Sequence, residues 1–117
     1  MTTPYEEFGG PDFFEALVAD FYTGVAADPD LRPMYPEEDL GPAQRRLRMF
    51  LEQYWGGPRT YSEERGHPRL RMRHAPFEIT EHHRDVWLKH MRDALNDREL
   101  PPELDAQMWD YLVMAAN

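Results

Sequence analysis

Four segments of the chain repeat apolar residues every three or four positions, and prolines or paired glycines separate these segments. Such spacing places the apolar side chains on one face of an α-helix. No run alternates apolar and polar residues over the length of a strand. The pattern therefore predicts an all-α fold with four main helices. A length of 117 residues predicts a single domain over residues 1–117.

Prolines and glycines define the ends of the predicted helices. These helices cover residues 11–27, 42–55 and about 81–96, with a fourth that opens at Pro101-Pro102. Thr80 is a predicted N-cap for the third helix. Residues 56–67 lack periodicity and are predicted to form a polar loop, while residues 68–74 are predicted to form about two turns of helix.

The second predicted helix has two distinct faces. Its predicted buried stripe is Ala43, Leu47, Phe50, Leu51 and Tyr54, and its predicted exposed face is Arg45, Arg46, Arg48 and Glu52. The Gly56-Gly57-Pro58 sequence is typical of a helix end.

The middle of the chain is basic although the chain as a whole is acidic. Residues 45–73 hold eight basic and three acidic side chains, so their formal charge is 8 − 3 = +5. Because the net charge is −9, the remaining residues carry −9 − 5 = −14. This contrast predicts a local anion site. A pI near 4.9 argues against nucleic-acid binding.

Composition excludes several other classes of protein. The chain has no cysteine, so it can form neither a disulfide framework nor a thiolate metal site. The N-terminal residues lack a basic region followed by an apolar run, so no cleavable signal is expected. No stretch approaches the roughly 18 apolar residues of a membrane span. A cytoplasmic location is the resulting expectation.

His74 is the candidate metal ligand of the basic segment. It ends a short predicted helix that prolines bound on both sides, with Leu70 one turn before it and Phe77 shortly after it. Three aromatic residues elsewhere carry polar tips that need partners when buried: Tyr22, Tyr35 and Trp87. One imidazole, apolar walls, hydrogen-bond donors and nearby arginines together describe a haem pocket.

Three further histidines, His82, His83 and His90, are predicted to be surface residues. His82 and His83 are adjacent and point about 100° apart on a helix, so they cannot share a metal ion. His90 follows His83 by seven residues, which is too far for one pair of ligands. No pair of carboxylates, phosphate-binding glycine loop or nucleophile in a catalytic setting is recognisable.

Three runs of the sequence resemble the truncated haemoglobins of the second group, the O-type globins of actinobacteria. They are Tyr-Pro-Glu-Glu-Asp-Leu at 35–40, Arg-Leu-Arg-Met-Phe-Leu-Glu-Gln-Tyr-Trp-Gly-Gly-Pro at 46–58, and Tyr-Ser-Glu-Glu-Arg-Gly-His-Pro-Arg-Leu-Arg-Met-Arg-His-Ala-Pro-Phe at 61–77. The resemblance extends from Gly9-Gly10 to the last helix. This sequence departs from the family pattern at the last helix, which in the family usually continues beyond the segment that corresponds to residues 111–117.

The resemblance implies a two-over-two helical sandwich around haem b. By this resemblance, His74 corresponds to the proximal iron ligand. The distal hydrogen-bond donors correspond to Tyr22, Tyr35 and Trp87. Ala43 falls at the distal gate, and Leu47 and Phe50 line the distal wall. Expected partners of the haem propionates are Arg46, Tyr61, His67 and Arg73.

These residues are expected to bind dioxygen and other diatomic ligands and to slow their release. The pocket then suits redox chemistry on a held ligand, either nitric oxide oxidation or peroxidase-like turnover, and turnover needs an outside electron donor. Carrier and enzyme stay open as alternatives, as does the number of subunits, a homo-oligomer included. Two haem-free readings also remain: an anion-binding or sensor module that uses residues 45–73, and a structural or interaction domain.

Overall fold

The computed structural model describes residues 2–65 and 80–116, and these ranges contain helices and no strand. The α-helices are α1 (Pro4–Phe8), α2 (Gly10–Ala26), α3 (Gly41–Tyr54), α4 (Thr60–Arg65), α5 (Glu81–Asn96) and α6 (Pro102–Ala116), and one 3₁₀ turn covers Arg32–Met34. Helix α2 packs against α3 and α5, and α5 packs against α6. The predicted all-α class is confirmed. None of the helices in this part of the chain is long and apolar enough to cross a membrane.

Helix α5 begins where the sequence predicted, at a capped N-terminus. The Thr80 Oγ1 atom accepts a hydrogen bond from the His83 main-chain N–H at 3.2 Å. In return, His83 Nδ1 accepts one from the Thr80 N–H at 3.3 Å. Two main-chain donors that a helix start leaves unpaired are thereby satisfied.

A sharp turn at Gly9 and Gly10 joins α1 to α2. Both glycines have positive φ angles, +130° and +68°. A Cβ atom on Gly9 would lie 3.0 Å from the Cβ of Phe13, so space as well as conformation favours glycine there. The sequence predicted a break at this pair, and the structure adds the short helix before it.

Helix α2 forms the centre of the hydrophobic core. Its buried side chains are Phe13, Phe14, Leu17, Val18, Phe21, Tyr22 and Val25. Near its end, Gly24 lies against α5, where an added Cβ would be only 2.6 Å from His90 Nδ1. The two helices therefore approach closely at this point, because Gly24 has no side chain.

Residues 60–65 form helix α4, so the predicted loop at 56–67 is wrong over this part. Tyr61 is buried, and its ring lies edge-on to Phe50 with centroids 5.4 Å apart. The Gln53 side chain accepts from the Ser62 N–H at 2.9 Å and donates to the Ser62 hydroxyl at 2.7 Å. Contacts with α3 stabilise this short helix, which is why periodicity gives no sign of it.

The buried face of α3 differs from the predicted stripe at Met49 and Glu52, which are buried, and at Tyr54, which is exposed. Tyr54 is 51% exposed and stacks on Tyr111 with ring centroids 3.8 Å apart. Glu52 is only 8% exposed and accepts a hydrogen bond from the Tyr5 hydroxyl at 3.1 Å. Glu52 is buried because α1 covers this side of α3. The Tyr5 N–H donates to the Trp55 carbonyl at 2.8 Å and holds α1 in this position.

Candidate functional site

Three polar aromatic side chains from separate parts of the chain meet at one hydroxyl. Tyr22 comes from α2, Tyr35 from the segment between α2 and α3, and Trp87 from α5. The donors of Tyr22 and Trp87 are directed at the Tyr35 hydroxyl: interaction with both opposes the rise in the pKa of Tyr35, and interaction with Tyr35 raises the pKa of Tyr22. The two tyrosine rings lie edge-on with centroids 5.5 Å apart. The structure thus brings together the three predicted donors.

Phe21 fixes two of these side chains relative to each other. It is fully buried on α2, and its ring centroid lies 4.9 Å from that of Tyr22 and 5.1 Å from that of Trp87. Both contacts are edge-on, a favoured geometry for aromatic pairs. The contact between α2 and α5 therefore sets the separation of the two donors.

Burial keeps both tyrosines in the neutral form that can donate a hydrogen bond. It raises the pKa of Tyr22, and the charge and hydrogen bond of Tyr35 raise it further. Burial also raises the pKa of Tyr35, although the hydrogen bonds from Tyr22 and Trp87 oppose that shift. The Tyr35 oxygen has two lone pairs. An oxygen that accepts from both of these described donors keeps its own proton available.

An apolar surface of α3 belongs to the same hydrophobic cluster as Tyr22. Ala43 and Leu47 lie one turn apart and are buried, and Phe50 is half-buried near the next turn. On α5, Trp87 is likewise half-buried and packs against this cluster. This site combines neutral hydrogen-bond donors with apolar walls. Such a combination is better suited to a small polar ligand that lies over a flat apolar group than to a chelated ion.

An ion pair lies close to the tyrosines. Arg46 Nη2 is 2.8 Å from Glu37 Oε1, and each side chain is about a third exposed. The Arg46 guanidinium holds the pKa of Glu37 below its usual range, chiefly through this hydrogen bond. The pair therefore favours the folded state at neutral pH and loses its effect as acid protonates Glu37. Partial exposure limits this effect to about 1 kcal/mol or less.

Five predicted site residues lie outside the described part of the chain: His67, Leu70, Arg73, His74 and Phe77. Within residues 2–65 and 80–116, no group of three His, Cys, Asp or Glu side chains could hold a metal ion.

His90 is not the surface residue that the sequence predicted. Its Nε2 atom lies 2.6 Å from Asp28 Oδ2, and both side chains are less than a fifth exposed. The hydrogen bond from His90 holds the pKa of Asp28 below its usual range. A second, exposed contact joins His82 Nε2 to Asp30 Oδ2 at 3.0 Å. The partners lie 62 and 52 positions apart, so no local pattern predicts these pairs.

The chain is similar to several known proteins. The family described as bacterial-like globin matches residues 3–117. Group 2 truncated hemoglobin YjbI of Bacillus subtilis (strain 168) is 42% identical over 117 residues, which are 100% of this chain and 87% of that protein. A thermostable hemoglobin from the actinobacterium Thermobifida fusca is 65% identical, with a TM-score of 0.96 over 98% of this chain and 94% of that chain. The truncated oxygen-avid haemoglobin from Bacillus subtilis is 41% identical, with a TM-score of 0.91 over 98% and 96%.

The structural likeness settles the architecture. Solved truncated haemoglobins match this chain, and the matches extend over most of both chains. The two-over-two helical sandwich predicted from the sequence is therefore confirmed, with α2 and α3 as one pair of long helices and α5 and α6 as the other.

Proposed function

The chain belongs to the group II truncated haemoglobins of the bacterial-like globin family, and from this we propose that it holds dioxygen tightly and uses it to oxidise nitric oxide. As a globin it binds haem b and dioxygen. When haem is bound, it would supply an iron that binds a diatomic gas and undergoes redox chemistry with it. The haem-free alternatives are not favoured by these likenesses.

The residues assigned to the cofactor divide into three groups. His74 is the proposed iron ligand. The proposed pocket walls are Ala43, Leu47, Phe50, Leu70 and Phe77, and the proposed propionate partners are Arg46, Tyr61, His67 and Arg73. The buried apolar side chains of α3 support the assignment of the walls. For Arg46, the support is its position beside the tyrosines with N–H donors beyond the one that binds Glu37.

The observation that carries the proposal is the hydrogen-bonded group at Tyr35. Tyr22 and Trp87 both donate to its hydroxyl, which leaves the Tyr35 proton free for a ligand in the pocket. Trp87 can only donate, and Tyr22 is buried with a raised pKa, so all three side chains remain donors at neutral pH. At roughly 0.5–1.5 kcal/mol for one neutral hydrogen bond, the Tyr35 donor slows ligand release by about two- to tenfold.

Slow release is poorly suited to oxygen delivery and better suited to a reaction of the held ligand. Nitric oxide, dioxygen and one electron give nitrate, with every atom retained in the product. An outside electron donor has to restore the reduced state after each turnover. The Bacillus subtilis relative is described as oxygen-avid, which supports tight holding here as well.

A rapid-mixing experiment tests this function. Reduced, haem-loaded protein is saturated with dioxygen and mixed with substoichiometric nitric oxide, and nitrate is measured. We expect nitrate equal to the nitric oxide added, formed together with the change from the oxygenated to the ferric spectrum. Protein saturated with carbon monoxide is the matched control, because its ligand position is blocked. If nitric oxide persists, or nitrate in the oxygenated sample does not exceed the control, the protein is an oxygen binder without this activity.

A further inference from the structure

Tyr35 lies in a segment with little regular structure of its own. Between α2 and α3, one 3₁₀ turn at Arg32–Met34 is the regular element, and the segment contains Pro29, Pro33 and Pro36. Proline lacks an N–H donor, so main-chain hydrogen bonds are few here. The Tyr35 backbone is extended, with φ −112° and ψ 107°. Side-chain contacts join the main-chain hydrogen bonds of Arg32, Met34 and Tyr35 in fixing the chain at Tyr35.

The Arg32 guanidinium provides three such contacts. Its Nη1 donates to the Tyr35 carbonyl at 2.7 Å, and its Nη2 donates to the carbonyls of Glu37 at 2.6 Å and Glu38 at 2.9 Å. The Tyr35 N–H in turn donates to the Arg32 carbonyl at 3.2 Å. Tyr35 is thus bound at both of its main-chain polar groups, each time by Arg32.

The chemistry of this contact requires arginine. A guanidinium is planar and directs several N–H groups outward in a fixed fork, so it can bind three carbonyls that point in different directions. A lysine ammonium is a compact charge on a flexible stem and does not reproduce that geometry. These three bonds go to main-chain carbonyls, which means that they fix the course of the chain around Tyr35 and Pro36.

We propose that Arg32 is the positioning residue for the distal hydrogen-bond donors. By holding the main chain on both sides of Pro36, it keeps the Tyr35 hydroxyl where Tyr22 and Trp87 donate to it and where its proton is available to a ligand. The inference rests on the proposed role of Tyr35 in holding dioxygen. Arg32 acts through Tyr35 and does not itself contact the ligand.

A double-mutant cycle on the haem-loaded protein tests the inference. Oxygen dissociation is measured by stopped flow in the natural protein, in Arg32→Lys, in Tyr35→Phe and in the double variant. We expect Arg32→Lys to speed dissociation about threefold or more, which corresponds to the weakening of one neutral hydrogen bond. In the Tyr35→Phe background, the same change should have almost no effect, because the hydroxyl that Arg32 positions is absent. Arg45→Lys is the matched control, since Arg45 pairs with the Glu64 carboxylate on α4 and not with this segment.

A second measurement does not depend on ligand kinetics. In the diamagnetic carbon monoxide form, the indole N–H signals of the three tryptophans are recorded by NMR. Arg32→Lys should shift the Trp87 signal, as Tyr35→Phe does. The Trp55 and Trp109 signals should stay in place, because Trp55 lies against Phe8 and Tyr111 and Trp109 against Arg92.

The outcomes separate the two ideas. If Tyr35→Phe changes the dissociation rate and Arg32→Lys does not, the positioning role is wrong and the proposed function stands. An Arg32→Lys effect that persists in the Tyr35→Phe background also overturns the positioning role. If Tyr35→Phe leaves the rate unchanged, the assignment of Tyr35 as a ligand donor is wrong. The Trp87 signal then decides whether Arg32 still positions Tyr35: a shift in Arg32→Lys supports it, and no shift overturns it.

Discussion

Replacing Trp87 by phenylalanine is expected to speed oxygen dissociation at least severalfold. The indole N–H is the one polar group of this side chain and can only donate, and it donates to the Tyr35 hydroxyl. Phenylalanine keeps an aromatic ring against Phe21 but removes the donor. Loss of one neutral hydrogen bond is worth roughly 1 kcal/mol, and each 1.4 kcal/mol corresponds to about a tenfold change in rate. Because the bond lost is the one that fixes the Tyr35 hydroxyl, we expect a change of about fivefold.

The measurement is stopped-flow dissociation of dioxygen from the reduced, haem-loaded protein. Trp109→Phe is a suitable control, because Trp109 lies on α6, where Arg92 stacks on its ring at 4.9 Å. Its dissociation rate should match that of the natural protein. An unchanged rate in Trp87→Phe would remove Trp87 from the set of distal donors.

Replacing Phe21 by alanine is expected to cost about 3–5 kcal/mol of unfolding free energy. The side chain is fully buried, and its ring contacts both Tyr22 and Trp87. Alanine leaves a cavity between α2 and α5, and tightly packed helices fill such a cavity only in part. The same cavity frees the rings of two distal donors, so faster oxygen release should accompany the loss of stability.

Urea unfolding at fixed protein and haem concentrations measures the first effect. Tyr54→Ala is the control for loss of an aromatic ring, since Tyr54 is half exposed and its main described ring contact is a stack on Tyr111. We expect that variant to lose about 1 kcal/mol. Equal losses in the two variants would contradict the assignment of Phe21 to the centre of the core.

Local sequence signals predicted the long helices because burial and capping are local properties. The stripe on α2 and the Thr80 cap of α5 both follow from residues a few positions apart. Helix α4 was missed because Tyr61 and Ser62 are fixed by α3, which is a tertiary contact. Glu52 looked like a surface residue for the same reason, since the side chain that covers it, Tyr5, is 47 positions away.

The site was less predictable from spacing than the fold. Apolar faces and polar tips marked Tyr22, Tyr35 and Trp87 as candidates for one haem pocket, and the family resemblance gave them their distal role. The pairing of His90 with Asp28 had no signal, because a histidine on a helix and an aspartate before a proline are common surface features. The role that we propose for Arg32 depends on the course of the chain around Pro36, which side-chain periodicity does not reveal.

An absorption spectrum tests the central claim, a haem globin whose iron is held by His74. The purified, haem-loaded protein is reduced and recorded with and without carbon monoxide, beside His74→Ala and a His82→Ala control, since His82 is exposed and bonded to Asp30. The account predicts a sharp Soret band that shifts with the gas in the natural protein and the control, and that is displaced or lost in His74→Ala. A spectrum in which His74→Ala behaves like the control would contradict the assignment of His74. Absence of any haem band after addition of hemin would contradict the function itself.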